Sequence, residues 1–130
     1  VGATLTRGEN GALGTIDGIT LSVSDRILVK DQADAKQNGI YTVTNLGSGG
    51  APYVLTRTTD ADQGATEMRY GLYTTISSGT TNGSKNYFMK TPDAITMGTS
   101  LLSFSEFTPA ILDEFGIQLD AGTSDMKFMD

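Results

Sequence analysis

DRILVKDQADAKQNGIYTV, residues 25–43, holds the choice between two kinds of protein. Ile27-Leu28-Val29 on one side and Ile40-Tyr41 with Val43 on the other have the composition of buried strands, and between them lie nine mostly polar residues, DQADAKQNG at 31–39. Such an insert is either a place for chemistry or a device that turns the chain. Its local signals favour the turn. Asp31 is a good helix N-cap, and Asp34 stands three positions later, where an acid suits the positive end of a helix. Ala33, Ala35, Lys36 and Gln37 form helix readily, and Asn38-Gly39 stops it because glycine tolerates the left-handed conformation. The spacing predicts one or two helical turns joining neighbouring strands. A carboxylate site built from Asp31 and Asp34 is the lesser reading.

Working outward, the same short-strand grammar repeats. Asp17-Gly18 sits between Ile16 and Ile19, a strong hairpin signal because a type I′ turn needs two positive φ angles. Ile19, Leu21 and Val23 alternate with Thr20 and Ser22, the pattern of a half-buried strand. RILVK reads as a strand buried on both faces, and GIYTVT as an alternating one. NLGSGGAP (45–52) is a loop by composition. YVLTRT (53–58) places Tyr53, Leu55 and Arg57 on one face. A polar loop covers 59–71, and LYTTISSG then pairs with SKNYFMKT across TTNG. After the loop TPDAITMGTS, LLSFSEF closes the unit. Sixteen glycines and abundant Thr and Ser agree with many tight turns. The expectation is an all-β, sandwich-like antiparallel module of short strands, with one short helical turn near residues 31–39.

Charge and missing residue types narrow the function. The net charge of −6 repels the phosphate backbone and anionic bilayers, so neither nucleic acid nor membrane insertion is expected. No apolar run approaches the roughly 18 residues of a membrane span. The chain has no Cys and no His, which removes disulfides, thiol nucleophiles and imidazole-based triads. An oxygen-ligand metal site or a carboxylate pair stays open in principle, but no pair stands out. Asp113-Glu114 are adjacent, so on a strand they face opposite sides. The expectation is no enzyme and no cofactor.

Residues 1–108 read as the module and 109–130 as an acidic, apolar extension. The extension holds five acids against one base, together with Ile111, Leu112, Phe115, Ile117, Leu119 and Phe128, a content that argues against a free tail and for assembly contacts. The chain starts at Val1 without a Met, as a fragment would.

Three stretches are candidate binding sites. Asp60-Ala61-Asp62 imitates a calcium loop helped by Glu67, yet an EF-hand counted from Asp60 requires Gly at position six and Glu at twelve, where Ala65 and Gly71 stand. SGTTNGS (78–84) lacks the following helix and the GK[ST] ending of a phosphate loop. Five tyrosines, 41, 53, 70, 73 and 87, are able to stack on sugars. Tyr41 and Tyr53 lie inside strand patterns and read as core. Tyr87, with Asn82, Lys85 and Asn86 near a hairpin turn, reads as the exposed one and gives a candidate glycan contact.

The order DRILVKDQADAKQNGIYTV, YVLTRTTDAD, GTTNG and ITMGTSLLSFSEF resembles a module widespread in tailed-bacteriophage tail-fibre and related virion proteins. The resemblance covers about residues 2–108 and keeps the order and approximate spacing of the motifs. Two departures stand out: the family usually has a further segment before GATLT, so a native first strand is expected to be missing, and Tyr87-Phe88 stand where a Trp is common. The resemblance implies a structural part of a phage virion, assembled in the host cytoplasm. A spacer or connector of a tail fibre or tail spike, a homotrimer contacting other virion proteins, is the first expectation. Recognition of a bacterial surface polysaccharide, or decoration of a capsid or baseplate, is the alternative. The resemblance brings no catalytic residues.

Overall fold

The structure, a computed structural model, describes residues 3–107, 117–119 and 126–128. It is all-β and antiparallel. The larger sheet orders four strands as β1 (Thr4–Thr6), β6 (Val54–Arg57), β5 (Gly39–Asn45) and β4 (Arg26–Val29). A second sheet orders β7 (Tyr73–Thr75), β8 (Asn86–Met89) and β9 (Phe104–Glu106). Two hairpins complete the strands: β2 (Thr15–Ile16) with β3 (Ile19–Thr20), and β10 (Ile117–Leu119) with β11 (Met126–Phe128).

Strand alternation divides the core in two. On β5, Ile40 faces one way and Tyr41 and Val43 the other, and cross-strand pairing aligns Leu28 with Ile40, Ile27 with Tyr41 and Leu55 with Val43. Ile40 and Leu28 meet Met89 and Phe104 of the second sheet and Leu72 just ahead of β7, with Ala61, Met68, Ile95 and Leu102 supplied by loops. This is the layer between the sheets. The other face of the larger sheet buries Tyr41, Val43 and Leu55 under Leu13, Leu21 and Leu46. RILVK thus packs on both faces but is only half-buried, Leu28 against one core layer and Ile27 and Val29 against the other, because β4 is an edge strand. Burying side chains of this size stabilises by about 1.5–3 kcal/mol each.

Several local expectations hold. Asp17 and Gly18 have φ of 49° and 76°, the two positive angles of the β2–β3 turn. Tyr41 is buried and Tyr53 packs on the second core layer. LYTTISSG and SKNYFMKT pair as β7 and β8.

Others are corrected. The insert forms a single 3₁₀ turn, Ala35–Gln37, capped by Asp34 and not by Asp31: the Asp34 carboxylate accepts from the Lys36 N–H at 3.1 Å. Asp31 instead pairs with Lys30 on the surface. The strand expected to run to Val23 stops at Thr20, because residues 22–25 close a tight turn. There the Ser22 N–H donates to the Asp25 carboxylate and the Asp25 N–H to the Ser22 carbonyl. Val23 is left 54% exposed. The closing strand is only Phe104–Glu106, with Leu102 buried just ahead of it.

Candidate functional site

The insert's polar residues are joined to one another and to distant strands. Each carbonyl from Ala35 to Asn38 is met by a donor. The Leu102 N–H reaches Ala35 (3.1 Å), Arg57 Nη2 reaches Lys36 (2.7 Å), Tyr41 Oη reaches Gln37 (2.6 Å) and Arg57 Nη1 reaches Asn38 (2.8 Å). The Ala35 carbonyl also takes the turn's own Asn38 N–H at 3.2 Å, and the other three are carbonyls of the kind a short helical turn leaves unsatisfied. The Asn38 side chain completes the knot, accepting from the Gln32 N–H and donating to the Leu102 carbonyl at 2.8 Å. Arg57 also lies over the Tyr41 ring, 4.9 Å from its centroid. Burial lowers the Arg57 pKa and raises that of Tyr41, while each group's charge opposes the other's shift; a guanidinium stays protonated regardless. Gly39, with φ of +148°, is required because a Cβ there would run into Arg57. The insert is a structural knot.

The Asp60 loop is likewise engaged. Asp60 pairs with Arg26 at 3.0 Å, and the Thr58 hydroxyl first, then Arg26, holds its carboxyl below the usual range. Glu67 Oε2 accepts from the N–H groups of Asp62 and Gln63. No three acidic side chains converge on a metal position among the described residues.

The four residues of the expected glycan contact do not form one site. Tyr87 is 6% exposed, a correction forced by alternation on β8: Tyr87 and Met89 point into the molecule, Asn86 and Phe88 outward. The Tyr87 hydroxyl donates to Asn82 Oδ1 at 3.1 Å, and both line a cleft of about 520 Å³ between the sheets' edges. Asn86 lies on the opposite face, where Thr75 Oγ1 donates to its Oδ1. The loop around Asn82 receives Asp17 from the β2–β3 hairpin. Asp17 accepts from the N–H groups of Thr81 (2.9 Å) and Asn82 (2.8 Å), which lower its pKa, with Lys85 adding a weaker pull. SGTTNGS therefore binds an anion after all, and that anion is the chain's own carboxylate.

The outward face of the β7–β9 sheet carries an aromatic surface missed in choosing Tyr87. Tyr73 is 69% exposed, Tyr70 57% and Phe107 39%. Phe88 and Phe107 meet edge to face at 5.9 Å and 86°. With Gly71 and Asn86 they line an open hollow of about 490 Å³. Strand parity was the available signal: Phe88 and Asn86 share a parity on β8, and Tyr73 is registered against Phe88.

Of the expected assembly residues, Ile111, Leu112 and Phe115 lie outside the described residues, whereas Ile117, Leu119 and Phe128 fall on β10 and β11. No family model, curated protein or solved structure matches the chain.

Proposed function

We propose that the chain is a non-enzymatic structural segment of a phage virion, a spacer or connector of a tail fibre or tail spike, assembled as a homotrimer. The observation that carries this reading is the fate of the motif residues behind the resemblance. Asp34, Asn38, Gly39, Tyr41 and Arg57 all take part in holding the chain together: four in the internal hydrogen bonds, Gly39 by giving Arg57 room. A motif that recurs because it knits a module fits a building part better than a catalyst. Residues 109–130 then pack on a sister subunit or a following module. Light scattering on the eluting protein, with and without 109–130, tests this. A trimer that dissociates on truncation supports the connector; a monomer in both forms refutes it.

The second reading is recognition of bacterial surface polysaccharide, favoured by the exposed Tyr70 and Tyr73 beside Asn86. Tyrosine rings offer flat apolar faces to sugars while their hydroxyls stay wet. Under this reading Tyr70→Ser with Tyr73→Ser abolishes adsorption to host cells, and Asn82→Ala, on the other side of the sheet, leaves it unchanged. Equal adsorption by all variants removes this reading and leaves the connector untouched.

A further inference from the structure

Three Asn-Gly pairs occur in the chain, at 10–11, 38–39 and 82–83. Asparagine is a thermolabile residue, most of all ahead of glycine, where no Cβ hinders the next amide nitrogen from closing on the asparagine side chain. That closure needs a main-chain N–H free to lose its proton, a side-chain carbonyl able to take up negative charge, and water. The fold treats the three pairs differently. Asn38-Gly39 is locked: Asn38 is 3% exposed, and its side chain accepts from the Gln32 N–H and donates to the Leu102 carbonyl. The Val43 N–H donates to Asp25, so Gly39, of the same parity on β5 and registered against Val29, also turns its N–H toward β4. Asn10 is exposed, but the Gly11 N–H donates to the Ala51 carbonyl at 3.1 Å.

Asn82-Gly83 lies in the loop that joins β7 to β8. The N–H groups of Thr80, Thr81 and Asn82 all donate to Asp17, that of Ser84 to the Ile76 carbonyl and that of Lys85 to the Asn82 carbonyl. Gly83, in their midst, has an N–H that meets no acceptor among the described residues. Its nitrogen is therefore the one in the loop that is free to be deprotonated. Asn82 is half-buried and lines the open cleft of about 520 Å³, so water reaches it. Its Oδ1 accepts from the Tyr87 hydroxyl at 3.1 Å. That oxygen becomes an oxyanion when a nitrogen adds to the amide carbon, and a donor already aimed at it stabilises the developing charge.

We infer that Asn82 is a site of spontaneous modification, where the Gly83 nitrogen and the Tyr87 hydroxyl convert the side-chain amide into a carboxylate. Gly83 gives up its amide proton to solvent hydroxide, and its nitrogen forms a bond to Asn82 Cγ. The bond from Cγ to Nδ2 then breaks, ammonia leaves with a proton from solvent, and a cyclic succinimide remains. Water opens the ring at either carbonyl, leaving aspartate or isoaspartate; the sequence consumes water and releases ammonia. The product sets a second carboxylate beside Asp17, which accepts from the Asn82 N–H. Like charges repel, so conversion loosens the contact between this loop and the β2–β3 hairpin. The inference stands apart from the fibre reading, since it rests on the loop alone.

The full chain, incubated warm in mildly alkaline buffer, is sampled over time, digested and mapped by mass spectrometry, with aspartate and isoaspartate peptides separated by chromatography. Conversion at Asn82 is expected to outrun that at Asn10 by about fivefold or more, the worth of a single hydrogen bond, with Asn38 unchanged. Tyr87→Phe keeps the ring and removes the donor, so conversion at Asn82 should slow by about fivefold while Asn10 keeps its rate. In guanidinium chloride the unaltered chain should lose the preference for Asn82, which keeps the test valid if Tyr87→Phe misfolds. A lead for Asn10 or Asn38 in the folded chain overturns the inference. So does an unchanged or faster rate at Asn82 in folded Tyr87→Phe, because the hydroxyl then restrains the side chain instead of activating it. An equal preference in denaturant overturns it too, since neighbours in sequence and not the fold would then choose the site.

Discussion

The knot around Arg57 and the aromatic face of β7–β9 lie on opposite sides of a single question about conspicuous residues. The knot is polar, charged and dense with motif-like sequence, and its side chains are almost entirely satisfied by one another. The aromatic face has no motif, comes from three separate stretches of chain, and leaves Tyr70 and Tyr73 mostly in water. Polar residues that catch the eye in a strand-rich sequence are thus no guide to where a ligand meets the protein. Buried polar groups must find partners, and a turn's open carbonyls are the nearest acceptors. Exposed aromatic area, by contrast, has not been used up in packing and stays free to take part in a contact.

Breaking the knot gives the largest expected effect. Arg57→Met keeps much of the aliphatic bulk but strips two charge-assisted donors from the carbonyls of Lys36 and Asn38, so urea denaturation should show a loss of about 3 kcal/mol. Asn38→Ala removes one bond to Leu102 and one to Gln32, and should cost about 2 kcal/mol in the same measurement. If either variant loses less than about 0.5 kcal/mol, the knot is ornament and the contrast with the aromatic face collapses.

Much of this fold was legible. Asp17-Gly18, the alternation in GIYTVT and the hairpin across TTNG fix strand positions through backbone and pleat physics that act within a few residues. The errors share one cause, dependence on distant partners. Asp31 and Asp34 are equally good caps by type, and only the placement of the turn against Leu102 and Arg57 selects Asp34. Val23 fits a strand by alternation, yet the Asp25 side chain bends the chain before the strand reaches it. Tyr87 looked exposed because it neighbours a polar turn. Its parity on β8 decides otherwise, and parity becomes readable only once the inward face is known. The aromatic site was the least legible part, since Tyr70, Tyr73, Phe88 and Phe107 converge through pairing of strands and not through spacing.

Acid should reveal a smaller effect tied to the same ladder of contacts. Asp17 and Asp60 both have folded-state pKa values below the ordinary 3.8. The unfolded chain therefore takes up protons first as pH falls, and stability declines with it. Their contribution is fully present above 3.8 and is lost as the pH drops from there through their lower folded values. Asp17→Asn should flatten this acid-side slope and speed amide exchange at Thr81 and Asn82 at neutral pH. An unchanged slope would show that the hairpin-to-loop contact does not form in solution.

The smallest expected change in stability comes from the aromatic face, and its smallness is the point. Tyr73→Ser removes a ring that is 69% exposed, so little apolar burial is lost and the urea midpoint should move by no more than about 0.5 kcal/mol. Adding Tyr70→Ser should change it little further, because neither ring belongs to a core layer. If the face serves as a contact surface, the double variant loses adsorption to host cells, or loses self-association, while remaining as stable as the parent. A drop of 2 kcal/mol or more would mean that the face is covered in solution by part of the chain itself, and the distinction between a satisfied knot and an open surface would no longer hold.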